Sequence, residues 1–145
     1  MIEFTVETEI ARPVADVFAY VTDPAKLPTW QTNTLSLTQL DDGPLGVGTR
    51  LREVHKVGGG EVESVVEVTE YERDRVFALT MVEGPLPVDA RLTFAAADGG
   101  AGTRLGFEGK ANPGGAMKFA SPLLGRSLKG QFEKHCRTLK EMLEG

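Results

Sequence analysis

Glu53 and His55 are the residues whose types and spacing best suit proton-transfer chemistry. The segment 49–57 has the composition of a strand, and successive side chains of a strand point to opposite faces. Glu53 and His55 therefore share a face with Leu51 and Val57, and these two apolar residues favour an inward orientation. An inward histidine beside a carboxylate could act as a general base, or it could anchor a ligand carbonyl through a hydrogen bond.

The same pair also has a purely structural interpretation. Glu53 and His55 could stand near the end of a strand, at a cavity mouth, with both groups in contact with water. Val54 lies on the opposite face of the strand and leaves open which side is buried. Both interpretations stay open at this level, so Glu53 and His55 are candidate catalytic residues only.

Other reactive residue types give weaker signals. Cys136 is the single cysteine, which rules out an internal disulfide and favours a reducing compartment. It falls on the apolar stripe of a C-terminal helix, where we expect a buried and unreactive thiol, with His135 at the helix edge. Two histidines and one cysteine at scattered positions give no zinc spacing, so we predict neither a metal nor a cofactor. The run 58–60 is three glycines and predicts a hairpin rather than a phosphate loop.

Composition limits the classes of partner. The chain has 145 residues, 41% hydrophobic and 26% charged, with a net charge of −5, which fits one globular domain over residues 1–145. No basic run could neutralise phosphates, so nucleic acid and anionic membranes are not expected partners. The start of the chain lacks a signal-peptide pattern, and no apolar run is long enough for a membrane span. We therefore expect a cytoplasmic protein without stable membrane insertion, either a monomer or a homodimer.

The elements that would position these residues begin with a strand. Residues 2–10 alternate between apolar and polar side chains, as in a half-buried strand. Pro13 suits the first position of a helix, and Asp23 suits the N-cap of a second short helix that runs through Trp30. Six further strands are predicted, over 33–40, 49–57, 61–71, 75–83, 86–96 and 103–110.

A long C-terminal helix completes the order of elements. It is predicted over 122–144, with 116–120 as a separate turn, because apolar residues recur there at steps of three and four. This stripe consists of Leu124, Leu128, Phe132, Cys136, Leu139 and Leu143. Within the last strand, Gly106 and Gly109 predict a bend or a bulge.

The order of elements predicts an α+β fold with an internal cavity. Seven antiparallel strands have one long helical partner, and a sheet so wide can cover a single helix only by curling around it. Small inward residues such as Ser64 and Ala90 beside large ones suit either a pocket or a tightly interdigitated core. The candidate ligand-binding residues are Trp30, Leu51, His55, Val66, Phe77, Leu79, Met81, Phe94, Phe107, Met117, Leu124, Leu128 and Phe132.

A set of ordered motifs carries a family resemblance over essentially the whole chain. They include the segments 10–13, 46–50, 66–71, 102–105 and 139–144, together with Asp23-Pro24 and Pro28-Thr29-Trp30. With them the chain resembles the START-like (SRPBCC) superfamily of polyketide cyclases/dehydrases and lipid transport proteins, which has the helix-grip fold. The resemblance implies an elongated apolar cavity between sheet and C-terminal helix. It also puts Trp30 near the opening of the cavity, to cap a ligand or to pack the short helices.

The resemblance does not imply one activity, since one fold hosts many functions. The first hypothesis is a carrier or sensor that binds a hydrophobic small molecule such as a lipid, a polyketide or an isoprenoid. The second is a cofactor-free enzyme similar to aromatase/cyclases, with Glu53 and His55 moving protons. The third is an interaction domain similar to Hsp90 activators, which predicts a filled core and an exposed apolar patch. No set of catalytic residues is carried over from the family.

Overall fold

A computed structural model of the chain describes residues 2–57, 59–84, 87–111 and 121–145. The predicted turn at 116–120 and the candidate Met117 lie outside these residues. Leu124 lies within a described helix, but its side chain is not described.

The first strand follows the alternation of its sequence. β1 (Ile2–Ile10) buries Ile2, Phe4, Val6 and Ile10 and turns its glutamates to the outside. A strand whose two faces differ in this way fixes its own register, because a shift of one residue would bury the glutamates. The alternation in the sequence of β1 therefore decides which of its residues form one wall of the core.

Two short helices separate β1 from the second strand, as predicted. α1 spans Val14–Thr22, and Pro13 is its N-cap, with an extended ψ of 148°. The prediction that Pro13 is the first helical residue was therefore wrong by one position. The predicted N-cap Asp23 is confirmed: its Oδ1 accepts a hydrogen bond from the backbone N–H of Ala25 at 3.0 Å. A short 3₁₀ turn, Pro24–Lys26, leads into α2 (Leu27–Trp30).

The remaining strands form one antiparallel sheet in which each strand pairs with its neighbours in the chain. The first strand, β1, joins this sheet beside the last strand. The spatial order is β1-β7-β6-β5-β4-β3-β2, so β1 and β2 are the edges. The strands are β2 (Thr34–Gln39), β3 (Arg50–Val57), β4 (Gly60–Glu72), β5 (Val76–Glu83), β6 (Val88–Ala97) and β7 (Gly102–Ala111).

The irregularities of the sheet are not where the glycines predicted them. β7 pairs with β1 and with β6 in continuous register, so Gly106 and Gly109 mark no bulge. The register shifts lie instead in β4 against β5, between Val65 and Val66 and between Val68 and Glu70, and in β2. Gly109 has a packing role, because a Cβ at this position would collide with the ring of Phe4.

The long helix α3 (Ser121–Glu144) closes the fold. Its 24 residues extend about 36 Å at 1.5 Å per residue. Its last turn is tied to the end of β1, since the side chain of Lys140 donates to the carbonyl of Glu9 at 2.7 Å and Glu144 accepts from the amide of Ala11 at 2.9 Å. The curved seven-stranded sheet wrapped around this helix is the expected α+β helix-grip architecture.

Candidate ligand cavity

A cavity of about 420 Å³ lies between the concave face of the sheet and α3. Residues of β1, β3, β4, β5, β6 and α3 contribute to its wall, together with the segment that follows α2. The lining side chains are Phe4, Gln31, Asn33, Glu53, His55, Val62, Ser64, Met81, Val88, Leu128, Gln131, Phe132 and His135.

A smaller cavity of about 100 Å³ adjoins the first, and twelve of its fourteen lining residues are apolar. The two cavities share Gln31, Glu53, Met81, Val88 and Phe132 in their walls. The other residues of the smaller cavity are Val21, Leu27, Trp30, Val66, Phe77, Leu79, Ala90, Leu92 and Phe107. In the larger cavity seven of the thirteen lining residues are polar, so the two spaces differ in the residue types of their walls.

Glu53 and His55 both face the larger cavity. Their neighbour Leu51 is buried in the core, which puts this face of β3 on the concave side of the sheet. The Nε2 of His55 contacts Oε1 of Glu53, and the two side chains are 22% and 14% exposed, respectively. A histidine and a carboxylate in contact at the wall of a cavity can hold or transfer a proton of a bound molecule.

His135 faces the same cavity from α3. It is 3% exposed, and burial lowers the pKa of its imidazole to about 4, with further lowering by the positive charge of Lys134 and by His55. The side chain is therefore neutral near pH 7. Within the described residues its Nδ1 is buried and has no hydrogen-bond partner.

Sequence reasoning placed His135 at the helix edge and missed its position in the cavity wall. A signal was present, because Leu128, Gln131, Phe132 and His135 follow the spacing of one helical face. The apolar stripe continues past them through Cys136 and conceals the fact that its border is polar. Gln31 and Asn33 were also missed, since nothing in their local sequence shows that the chain after α2 turns towards the sheet.

Trp30 lies in the wall of the smaller cavity and is 2% exposed. Its indole Nε1 is buried and has no partner within the described residues. An indole in this position can contact the apolar part of a ligand through its large face. The deep burial of Trp30 also packs α2 onto the core, so the two interpretations of this residue are compatible.

The structure brings most of the predicted ligand-binding residues to the two cavities. Leu128 and His55 line the larger one, and Met81 and Phe132 line both. Leu51 and Phe94 instead belong to the packed core: Phe94 lies edge-on to Phe18 with 5.0 Å between ring centroids. The predicted residues in the wall of the smaller cavity alone are Trp30, Val66, Phe77, Leu79 and Phe107.

Cys136 lies in the core and not in either wall. Burial, followed by the charge of Glu133, raises the pKa of its thiol to about 11. A thiol with such a pKa is protonated near pH 7 and a poor nucleophile. Among the described residues no group of three or more histidine, cysteine, aspartate or glutamate side chains is placed to hold a metal ion. No helix in the described ranges is both long enough and apolar enough to cross a membrane.

Comparison with known families gives a match over nearly the whole chain. Residues 1–144 match the model of the family described as polyketide cyclase / dehydrase and lipid transport. No curated protein sequence matches the chain.

Solved structures of the same fold come from several bacteria. A protein from Thermus thermophilus has a TM-score of 0.81 at 20% identity, with 97% of this chain and 96% of that chain covered. The Zhui aromatase/cyclase from a Streptomyces species has a TM-score of 0.80 at 14% identity, with 98% and 93% covered. A START superfamily protein from Mycobacterium smegmatis has a TM-score of 0.78 at 16% identity, with 99% and 98% covered. At these identities the likeness is one of fold.

Proposed function

Because the chain belongs to the polyketide cyclase / dehydrase and lipid transport family, we propose that it binds a hydrophobic small molecule in the cavity between sheet and α3. A lipid, a polyketide or an isoprenoid-like compound has the required character. The observation that carries the proposal is the pair of adjoining cavities, about 420 and 100 Å³ in volume. The larger volume falls in the range of about 300–1,000 Å³ that small-molecule sites occupy.

The division of polar and apolar side chains supports a fixed orientation of the ligand. The smaller cavity has mainly aliphatic and aromatic walls, so it suits the apolar end of the molecule. The polar end then lies in the larger cavity beside Glu53, His55 and His135. Few polar groups on an otherwise apolar wall are what a site needs to orient a hydrophobic ligand.

The test is ligand retention and its loss when the cavity is filled. Native mass spectrometry of the purified protein, followed by solvent extraction, should find a bound molecule. Titration with the neutral dye Nile red should give saturable binding. Leu128→Trp places a larger side chain in the cavity wall and should weaken dye binding at least about tenfold, whereas Met142→Trp, on the exposed side of the same helix, should leave it unchanged. Equal binding by the two variants would contradict the proposal.

The contact between Glu53 and His55 favours a second candidate, an enzyme similar to aromatase/cyclases. In that role the pair would remove a proton from carbon next to a carbonyl, the carbanion would attack a second carbonyl of the same chain, and water would leave. A poly-β-keto thioester mimic should then yield a product lighter by one water. Glu53→Gln and His55→Gln should abolish this product while Nile red still binds. A wild-type protein that binds the mimic without converting it would exclude this candidate.

An interaction domain similar to Hsp90 activators receives less support. That role depends on a filled core, whereas the space between sheet and helix here is open. We further propose that the protein works in the cytoplasm with its single thiol reduced, that its partner is the small molecule and not nucleic acid, and that it is a monomer or a homodimer.

A further inference from the structure

The larger cavity offers a ligand a specific set of polar groups. Among its described lining residues are one carboxylate, two imidazoles, three side-chain amides and one hydroxyl, and no lysine or arginine. A carboxylate only accepts hydrogen bonds, and an amide or a hydroxyl can either donate or accept. No lysine or arginine in the described part of this wall therefore faces the carboxylate of Glu53.

Glu53 is the strongest acceptor of the set. Its Oε1 is in contact with the Nε2 of His55. A carboxylate has about four lone-pair positions on two oxygens, and a single contact leaves most of them free. Glu53 therefore retains capacity to accept a hydrogen bond from a ligand in the larger cavity.

His135 does not add a compensating positive charge near neutral pH, because its imidazole is buried and uncharged. An anionic group in the larger cavity would face Glu53 without a described lining cation beyond the paired His55. An ammonium group would exchange its hydration shell for a carboxylate that is already in contact with His55, and this desolvation is costly in a largely apolar site.

We propose that the polar end of the ligand is an uncharged hydroxyl, phenolic or alcoholic, which donates its hydrogen bond to Glu53. The neutral imidazole of His135 lines the same cavity and places no charge beside this hydroxyl. Ligands that end in a carboxylate are discriminated against. This inference rests on the proposed binding function and narrows the class of ligand to hydroxyl-bearing hydrophobic molecules.

The experiment uses three probes with one skeleton: 2-naphthol, 2-naphthoate and 2-naphthylmethylammonium, titrated calorimetrically at pH 7 with Nile red as a neutral reference. The wild type should bind naphthol about tenfold or more tightly than either charged probe. Glu53→Gln should bring naphthoate to within about threefold of naphthol. Glu53→Asp keeps the negative charge and should keep naphthoate weak. The matched control Glu63→Gln removes an exposed carboxylate opposite Val54 on the neighbouring strand and should leave all ratios unchanged.

The outcomes separate the inference from the function beneath it. If neither Nile red nor any naphthyl probe binds, the binding function itself fails. If Nile red binds but naphthoate or the ammonium probe binds as well as naphthol, the hydroxyl assignment is wrong and the binding function survives. If Glu53→Gln folds, as its circular dichroism would show, and leaves the preference for naphthol intact, Glu53 is not the acceptor.

Discussion

The ring of Phe132 on α3 lies 4.4 Å, centroid to centroid, from the ring of Phe107 on β7, and the two planes differ by 24°. Phe4 of β1 stacks on both rings, at 5.3 Å from Phe132 and 6.1 Å from Phe107. This cluster fixes the middle of the helix to the sheet. Phe132 also stands in the walls of both cavities, so one side chain connects the stability of the fold with the shape of the site.

Phe132→Ala should lower the stability of the fold and change the shape of the site at the same time. We expect the free energy of unfolding to fall by roughly 3 kcal/mol, because three stacked rings lose one member and a void remains. The two cavities should merge, so the variant should accept ligands with bulkier apolar ends. Urea denaturation and titration with a series of alkylphenols would measure both effects. Leu123→Ala, at an exposed position of the same helix, should change stability by less than about 0.5 kcal/mol, and similar losses in both variants would contradict the role given to Phe132.

Gly109 should tolerate no side chain as long as Phe4 is present. A Cβ at Gly109 would collide with the ring of Phe4, and both residues are buried. Gly109→Ala is therefore expected to lower the free energy of unfolding by about 1–3 kcal/mol. In Gly130→Ala the new Cβ meets open space, and a helix interior gains up to about 1 kcal/mol from this change.

A double-mutant cycle tests the cause of that loss. Gly109→Ala combined with Phe4→Leu should cost less than the sum of the two single changes, because the shorter side chain relieves the collision. Strict additivity in chemical denaturation would show that the strain at Gly109 does not come from Phe4.

Most of the fold could be predicted because its signals are local. The alternation of β1, the side-chain cap of Asp23 and the apolar stripe of α3 all arise from residues close in the sequence. The register shifts of β4 could not be predicted, since a bulge depends on how two strands meet and not on either strand alone. Gly109 shows the same limit, because the ring that requires a glycine there belongs to Phe4, at the other end of the chain.

In the candidate site, too, the features that depend on local sequence could be predicted and those that depend on distant parts of the chain could not. Leu51 shares the parity of Glu53 and His55 on β3 and favoured the concave face, but Val54 on the other face kept the choice open until the burial of Leu51 decided it. His135 could not be assigned to the cavity, since a residue at the border of an apolar stripe faces either water or the interior depending on how far the sheet curls. The predicted cavity follows from strand number and helix number, but its polar lining depends on this curvature.

Cys136 should be inert in the folded protein. Its thiol is buried and its pKa is raised to about 11, so little thiolate exists at pH 8. Ellman's reagent should react with less than about one tenth of the protein in an hour under native conditions and with one thiol per chain in about 6 M guanidinium chloride. Rapid labelling of the native protein would show that the core opens around α3 or that the thiol is accessible.

His135 should make the stability of the protein depend on pH between about 4 and 6.5. In the unfolded chain its pKa returns to about 6.5, whereas burial holds the pKa at about 4 in the folded state. The unfolded state therefore binds more protons in this window, and stability falls as the pH is lowered through it. Between pH 7 and pH 5 this residue alone should remove roughly 2 kcal/mol from the free energy of unfolding, with little contribution above pH 7.

The measurement is urea denaturation at pH 7 and pH 5 of the wild type and of His135→Gln, which has no titrating group at this position. The groups that act on His135 are Lys134 on its own helix and Glu53 and His55 from β3, and all three remain in the variant. Their contribution to the pH dependence is therefore present in both proteins and largely cancels in the comparison. The variant should lose less stability than the wild type on acidification, by roughly 2 kcal/mol. If both proteins lose the same amount of stability between pH 7 and pH 5, His135 is protonated in the folded state as easily as in the unfolded chain. The assignment of a neutral imidazole to the cavity wall would then be wrong.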